Sequence, residues 1–336
     1  MKNILVTGGA GFIGSNLVDA LIEAEQIGQV RVLDDLSTGF LENISRHFGN
    51  PKFEFLQGDI RDFRTCQQAC EGMHWVSHHA ALGSVPRSLA DPLATNAVNI
   101  TGMLNVLQAA KEAGVQRLVF AGSSSTYGDS PALPKVEERI GKPLSPYAVT
   151  KYVNELYASV FARSFDIEVI GLRYFNVFGP RQSPRGAYAA AIPLFIHQLM
   201  RGERPTLHGD GSQSRDFTFI ENVVQANLMA FNSTHTDLSG EVFNIAYGQQ
   251  TTLLELFESL SDLLGLTVEP IFGPERKGDV KHSLASIEKA QKMLGYVPKI
   301  SVIQGLRTTV AWHQQQASRT EHSGLTSIEH ETQVPT

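Results

Sequence analysis

Cysteine is nearly absent: the 336-residue chain carries two, Cys66 and Cys70. Their spacing places them one helical turn apart. No His/Cys cluster accompanies them, so two reduced thiols are expected and a zinc site is not. An excess of positive charge is also lacking. The formal charge of −6 argues against a nucleic-acid footprint for the chain as a whole. No apolar run approaches the roughly 18 residues that a membrane helix needs, so no membrane partner is expected. The opening MKNILVTGGAGFIG turns glycine-rich too soon for a signal peptide, and a cytoplasmic protein is expected. No internal repeat is visible. What remains is 42% hydrophobic residues, enough for a sizeable core, in a length that suits one large domain or two joined ones.

Short runs rich in Val, Ile and Phe alternate with longer segments of helical period. Strands are expected at 3–8, 30–35, 53–59, 74–81, 117–124, 168–177 and 241–247, and helices at 14–25, 99–114 and 146–165. This alternation predicts βαβ crossovers around a buried parallel sheet. The pattern changes near residue 180, where loops, a short helix and an amphipathic helix at 252–265 follow. The expected architecture is α/β: a Rossmann-type doubly wound sheet over 1–178, with a contribution from about 241–248, and a smaller mixed α/β domain over 179–316. The apolar-poor segment 317–336 is expected to be disordered.

VTGGAGFIGS follows the first strand and opens the first helix. Gly8 suits a tight turn, Gly11 a close approach to a pyrophosphate, and Gly14 helix–strand packing. The helix N-terminus then offers unpaired N–H groups to phosphates. Asp34 ends the second strand 20 residues after Gly14. A carboxylate there accepts from a ribose 2′-OH and repels a 2′-phosphate, which favours NAD over NADP.

SPYAVTKYV, residues 145–153, places Tyr147 and Lys151 on one helix face. FAGSSSTYGD lies at the C-terminal end of a strand, where open α/β sheets bind ligands. A free tyrosine titrates near 10 and is a poor base. A lysine ammonium one turn away, with a positive nicotinamide ring, favours the phenolate. Tyr147 then takes a proton from a substrate hydroxyl, Lys151 holds the phenolate and the nicotinamide ribose, and a serine bonds the reacting oxygen.

In this order the motifs resemble those of the extended short-chain dehydrogenase/reductases that act on nucleotide sugars. The family pattern T-G-x-x-G-x-x-G, then Ser/Thr at a strand end, then Y-x-x-x-K, then R-D-[FY], is matched at Thr7–Gly14, Ser123–Ser125, Tyr147–Lys151 and Arg215–Phe217. The resemblance implies an NAD domain followed by a domain for a nucleotide-diphosphate sugar. It places Phe12, Ile13, Asp35, Ser37, Thr38 and Gly39 with Gly8, Gly11, Gly14 and Asp34 around the cofactor, and Asp59 and Ile60 beside the adenine. Ala80, Ala81, Leu82, Asn99 and Tyr174 then lie along the cofactor with Tyr147 and Lys151. For the substrate it implies Gly83, Ser84, Ser123, Ser124, Ser125, Tyr147, Asn176, Gln182 and Ala190, the uracil stretch Thr206, Leu207 and His208, and then Arg215, Arg276, Asp279 and Ser283. The two arginines suit bidentate diphosphate contacts. No metal is implied. The family commonly dimerises through two helices per subunit, so a homodimer through 99–114 and 146–165 is expected.

In related 4,6-dehydratases the residues after the strand-end Ser/Thr are Asp-Glu, an acid and a base; this chain has Ser124 and Ser125. That leaves hydride removal at the sugar C4 and its return to the other face, a 4-epimerase. Closer resemblance, over 80–92, 179–193 and 276–285, points to bacterial enzymes that interconvert UDP-N-acetylglucosamine and UDP-N-acetylgalactosamine. A bulky Tyr commonly stands at the place of Ser283 in epimerases for plain UDP-hexoses. Arg185 leaves uronic-acid substrates open. A UDP-glucose/galactose or UDP-glucuronate 4-epimerase, a 4,6-dehydratase and a non-catalytic NAD-binding protein are the alternative readings.

Overall fold

The computed structural model describes residues 1–184, 189–275 and 281–329, with side chains described through Arg319. Arg185, Arg276 and Asp279 therefore lie outside the described residues. The first half builds strands β1 Lys2–Thr7, β2 Ile27–Asp34, β3 Phe53–Gln57, β4 Trp75–His78, β5 Arg117–Ser123 and β6 Glu168–Tyr174. Between them lie helices α1 Phe12–Glu23, α2 Phe63–Cys70, α3 Val85–Ala90, α4 Pro92–Asn96, α5 Met103–Glu112 and α6 Pro146–Ser164. The second half adds short strands β7 Val177–Phe178, β8 Thr206–His208, β9 Ser214–Arg215 and β10 Thr218–Phe219, then β11 Val242–Ile245, β12 Thr251–Thr252 and β13 Ile271–Gly273. Its helices are α7 Ala191–Met200, α8 Ile220–Asn232, α9 Leu253–Leu264, α10 Glu288–Leu294 and α11 Val302–Glu329.

Seven strands form one parallel sheet in the order β11-β6-β5-β4-β1-β2-β3. The chain order reverses between β1 and β4, so the crevice for a ligand opens at the C-terminal ends of those strands. Side-chain alternation splits each strand between two cores. Ile4, Val6, Val30, Val32, Val119 and Leu172 join α1 and α8 on one face. Leu5, Leu33, Val76, Leu118, Phe120 and Val169 join α2, α5 and α6 on the other.

Three features differ from the sequence expectations. First, the helix expected at 99–114 is longer and interrupted: α4 runs through a π-helical turn, Ala97–Gly102, into α5. A Cβ on Gly102 would stand 2.5 Å from Cδ1 of Ile60, so the widened turn and the small residue together admit that side chain. Second, α8 lies in the stretch assigned to the smaller domain but packs on α1, β5 and β6. The two halves therefore share the first core, which also takes Phe195, Phe219 and Leu256. Third, a helix that the sequence reading does not list, α11, runs from Val302 to Glu329. The contribution of 241–248 to the sheet takes the form of β11 beside β6. No helix among the described residues is long and apolar enough to cross a membrane.

Candidate active site

The glycine loop follows β1 directly. Gly8 has φ +69°, and a Cβ on it would meet the Ala80 backbone N at 2.6 Å, so the turn tolerates no side chain. Gly14 carries α1 against the loop: its Cβ would stand 2.2 Å from Gly8 O and 2.8 Å from Gly9 Cα. Gly11 differs, since a Cβ there would meet only Gly8 O, at 3.2 Å. It is the N-cap of α1, with no capping side chain and no acid in the first turn. The first-turn N–H groups thus lack a side-chain acceptor, which fits a pyrophosphate. Phe12 and Ile13 turn their side chains toward the first core, so what they offer a cofactor is backbone.

Asp34 has a second task that sequence spacing does not reveal. Its Oδ2 accepts from Ala10 N at 2.9 Å and its Oδ1 from Leu36 N at 2.9 Å. The carboxylate pins the glycine loop and the turn after β2, and burial raises its pKa. A Cβ on Gly39 would stand 3.0 Å from its Oδ1. Asp35 is exposed and accepts from the N–H and hydroxyl of Ser37, while Thr38 is exposed. After β3, Asp59 pairs with Arg61 and Ile60 packs under the π turn.

The crossover strand β4 brings His78 and His79 to the switch point. His78 Nδ1 bonds Thr7 Oγ1 at 2.8 Å and His79 Nε2 bonds Ser77 Oγ at 2.9 Å. Burial holds both rings neutral, pushing each pKa down to about 3. His79 also stacks on Tyr174, whose phenol is tied to Asn227. Ala80 N donates to Thr7 Oγ1, and Leu82 is held on both sides by Asn99: Leu82 N donates to Asn99 Oδ1 at 2.8 Å, and Asn99 Nδ2 donates to Leu82 O at 3.1 Å. Asn99 Nδ2 reaches Thr150 Oγ1 on α6 as well, at 3.1 Å. Asn99, expected along the cofactor, is therefore committed to straps within the protein, because the π turn aims it at the loop. Gly83 is open, and Ser84 (φ +94°) caps α3.

Ser123 and the Tyr147/Lys151 pair meet where β5 ends against α6. Tyr147 is half-buried, but its phenol lies deep enough that burial raises its pKa, partly offset by a hydrogen bond with Ser123. Lys151 donates from Nζ to Ala121 O at 2.9 Å and stands 5.9 Å from the Tyr147 ring centroid. Burial pushes its ammonium down to about 8, with Glu155 opposing. Without a cofactor's positive charge beside it, burial outweighs the lysine and the phenol is raised, not lowered. Ser125 Oγ donates to Ser123 Oγ at 2.9 Å, so Ser124 and Ser125 follow Ser123 with hydroxyls only.

In the second half, Asn176 and the segments holding Arg215 and Ser283 meet at Asp216, which sequence spacing passes over. Its carboxylate accepts from the N–H groups of Tyr247, Gly248 and Ala285 at 3.1 Å each, and its carbonyl accepts from Asn176 Nδ2 at 3.3 Å. Arg215 Nη1 donates to Ser214 O and Lys281 O. Ser283 is 9% exposed, and its N–H donates to Ser214 O at 3.1 Å. Asn176 is held at φ +35°. Gln182 Nε2 donates to Val177 O, Ala190 is the N-cap of α7, and Thr206 and His208 sit on β8. Leu207 is fully buried in the first core, so its side chain is withdrawn from any substrate and only its backbone is available. Burial raises Asp216 to about 7, against the pull of those N–H donors. An Asp inside the S-R-D-F run at the end of β9 is the one signal that pointed to it. Among the described residues no group of three or more His, Cys, Asp and Glu is placed to hold a metal ion.

The sequence of the NAD dependent epimerase/dehydratase family matches residues 4–246. A putative UDP-glucose 4-epimerase of Methanocaldococcus jannaschii is 39% identical over 311 residues, covering 92% of this chain and 97% of the relative. The solved structure of UDP-N-acetylglucosamine 4-epimerase from Methanobrevibacter ruminantium, in complex with UDP-N-acetylmuramic acid, superposes with a TM-score of 0.87 at 39% identity, covering 94% of this chain and 99% of that one. That of UDP-glucuronic acid 4-epimerase from Bacillus cereus, with UDP-glucuronic acid and NAD, has a TM-score of 0.87 at 31% identity over 94% and 99%. Sheet order, glycine loop and Ser/Tyr/Lys cluster agree with that match: the chain belongs to the NAD dependent epimerase/dehydratase family.

Proposed function

We propose that the chain is an NAD-dependent UDP-sugar 4-epimerase, an isomerase, and that it interconverts UDP-N-acetylglucosamine and UDP-N-acetylgalactosamine through a transient 4-keto sugar. When bound, NAD supplies the hydride acceptor and donor for the sugar C4. The chain supplies proton transfer and positioning. Tyr147 takes the sugar O4 proton and returns it, Ser123 hydrogen-bonds the same oxygen, and Lys151 supports the phenolate. Arg215, with Arg276, grips the diphosphate; Asn176 and Ser283 border the sugar. The α1 N-terminus, Gly8, Gly11, Gly14 and Asp34 hold the cofactor.

The observation that carries the epimerase reading is the hydroxyl-only turn after Ser123, with Ser125 bonded back onto Ser123 at 2.9 Å. With no carboxyl group at those two positions, nothing there removes a C5 proton, and inversion at C4 is what the site supports. The N-acetyl reading rests on the small, pinned Ser283 and on the similarity to the Methanobrevibacter enzyme. We also propose a homodimer: α6 leaves Val149, Leu156 and Val160 between 45% and 50% exposed along one stripe.

The test is volume. The acetamido group swings through the pocket when the keto sugar turns over, and a tyrosine at 283 occupies the swept space. Ser283→Tyr is expected to lower kcat/KM for UDP-N-acetylglucosamine strongly while sparing UDP-glucose, read as the ratio between the two sugars by NMR of the C4 configuration. An unchanged ratio removes Ser283 as the gate. Turnover by the wild-type protein of UDP-glucose or UDP-glucuronate alone replaces the N-acetyl reading with the corresponding 4-epimerase.

A further inference from the structure

The row of Tyr147 and Lys151 on α6 continues one turn further to Glu155, a third titratable residue on the same face. Glu155 is 6% exposed, and its carboxylate takes both arms of a buried guanidinium: Arg173 Nε to Oε1 at 2.7 Å and Arg173 Nη2 to Oε2 at 2.7 Å. The remaining arm of Arg173, Nη1, donates to Glu137 O at 2.9 Å. The guanidinium carbon lies 4.9 Å from the ring centroid of Tyr127, whose hydroxyl donates to Asn244 Oδ1 at 2.6 Å. Tyr127 ends the turn Ser124–Tyr127 that leads out of Ser123. One buried ion pair therefore touches both arms of the candidate site: the helix that carries Tyr147 and Lys151, and the turn that follows Ser123.

We propose that Glu155 and Arg173 form a positioning pair that keeps Lys151 protonated and locks α6 to the Ser123 turn, which rests on the epimerase reading above. Neither residue touches the reacting atoms. The physical need arises from burial. Lys151 is 5% exposed and its ammonium donates to the neutral carbonyl of Ala121, so among the described residues its charge has no direct counter-ion. Glu155, one turn away, is the charge that acts on it, and the two-armed Arg173 fork fixes where that carboxylate stands. The other titratable groups around Lys151 are Tyr147 on α6, His78 and His79 from β4, and Arg173 and Tyr174 from β6. The two histidines are neutral above about pH 3, and burial raises both tyrosines, so none of these changes charge near the Lys151 titration.

The experiment is a titration of Lys151 in the full-length protein, by NMR of ¹³C-labelled lysine side chains, with the resonance assigned by its loss in Lys151→Ala. The readout needs no substrate, so it stands or falls separately from the sugar assignment. The wild-type resonance is expected to titrate near pH 8. Glu155→Gln is expected to move it down by about one unit, a tenfold loss of the protonated fraction on the alkaline side. The alkaline limb of kcat for the UDP-sugar should move with it. The exchange Glu155→Arg/Arg173→Glu preserves a buried pair and the net charge but inverts the field at Lys151. It is expected to lower the midpoint too, and it serves equally if the single variant fails to fold. An unchanged Lys151 midpoint in Glu155→Gln overturns the proposal. So does recovery of the wild-type midpoint by the exchange, which would leave the pair a purely structural role.

Discussion

Tyr147 and Asp34 show how one side chain answers to its neighbours more than to its own chemistry. Burial raises the Tyr147 phenol, so its use as a base depends on the charges gathered around it. Tyr147→Phe removes the proton acceptor and leaves the helix intact. Epimerisation is expected to fall by roughly 10²–10⁴-fold, with unfolding and NAD retention unchanged. Activity within a few-fold of wild type would take the base role from Tyr147. Asp34 is different because its carboxylate holds Ala10 N and Leu36 N as well as facing the cofactor side of β2. Asp34→Ala leaves two backbone donors without their partner, at about 1–3 kcal/mol each. It is therefore expected to lower the denaturant midpoint and to release NAD on gel filtration. Loss of NAD with an unchanged midpoint would mean the loop does not depend on this residue.

At the scale of the element, α1 is held to the loop by contact between backbones. Gly14 packs on Gly8 O and Gly9 Cα with no room for a methyl group. Gly14→Ala is expected to push the first turn away from the loop. Overpacking alone costs about 1–3 kcal/mol, and the displaced N–H groups should lose NAD as well. Urea unfolding followed beside NAD absorbance tests both effects, and a variant that keeps its stability and its cofactor would show that the turn can shift freely. The π turn Ala97–Gly102 is a second case. Its register is set by Ile60 against Gly102 on one side and by Asn99 on Leu82 on the other. A regular helical period through this stretch hides it from sequence reading, since one inserted residue per turn leaves no mark in composition.

At the scale of the whole molecule, the crossover that creates the crevice also buries two histidines. The folded pKa of His78 and of His79 lies near 3, below the ordinary 6.5, so the unfolded chain takes up protons that the folded chain refuses. Their contribution to stability is complete above about pH 6.5 and is lost as pH falls from there toward 3. Urea midpoints measured at pH 7 and pH 4.5 should therefore decline on acidification, and less so in His78→Asn. Equal losses in the two proteins would show that His78 is not held neutral. The shared core acts at this scale too: because α8 packs on α1 and on the sheet, the smaller half cannot separate from the larger without exposing Phe231, Ala226 and Val223.

The chain by itself determined what depends on short separations. The strand and helix alternation, the glycine spacing, Asp34 at the end of β2 and the Tyr147/Lys151 turn are all written in periods of a few residues, and the sheet follows from them because βαβ units close in one hand. Glu155 is the next step of the same row, yet spacing alone did not single it out. Its partner Arg173 is still less visible, since it stands 18 positions further on, in β6. Asp216 likewise draws together Tyr247, Gly248 and Ala285, segments that no local pattern connects. Only the tertiary structure decided the protonation of Tyr147, Lys151 and His78, because desolvation is a property of the packed neighbours and not of the sequence spacing between charges.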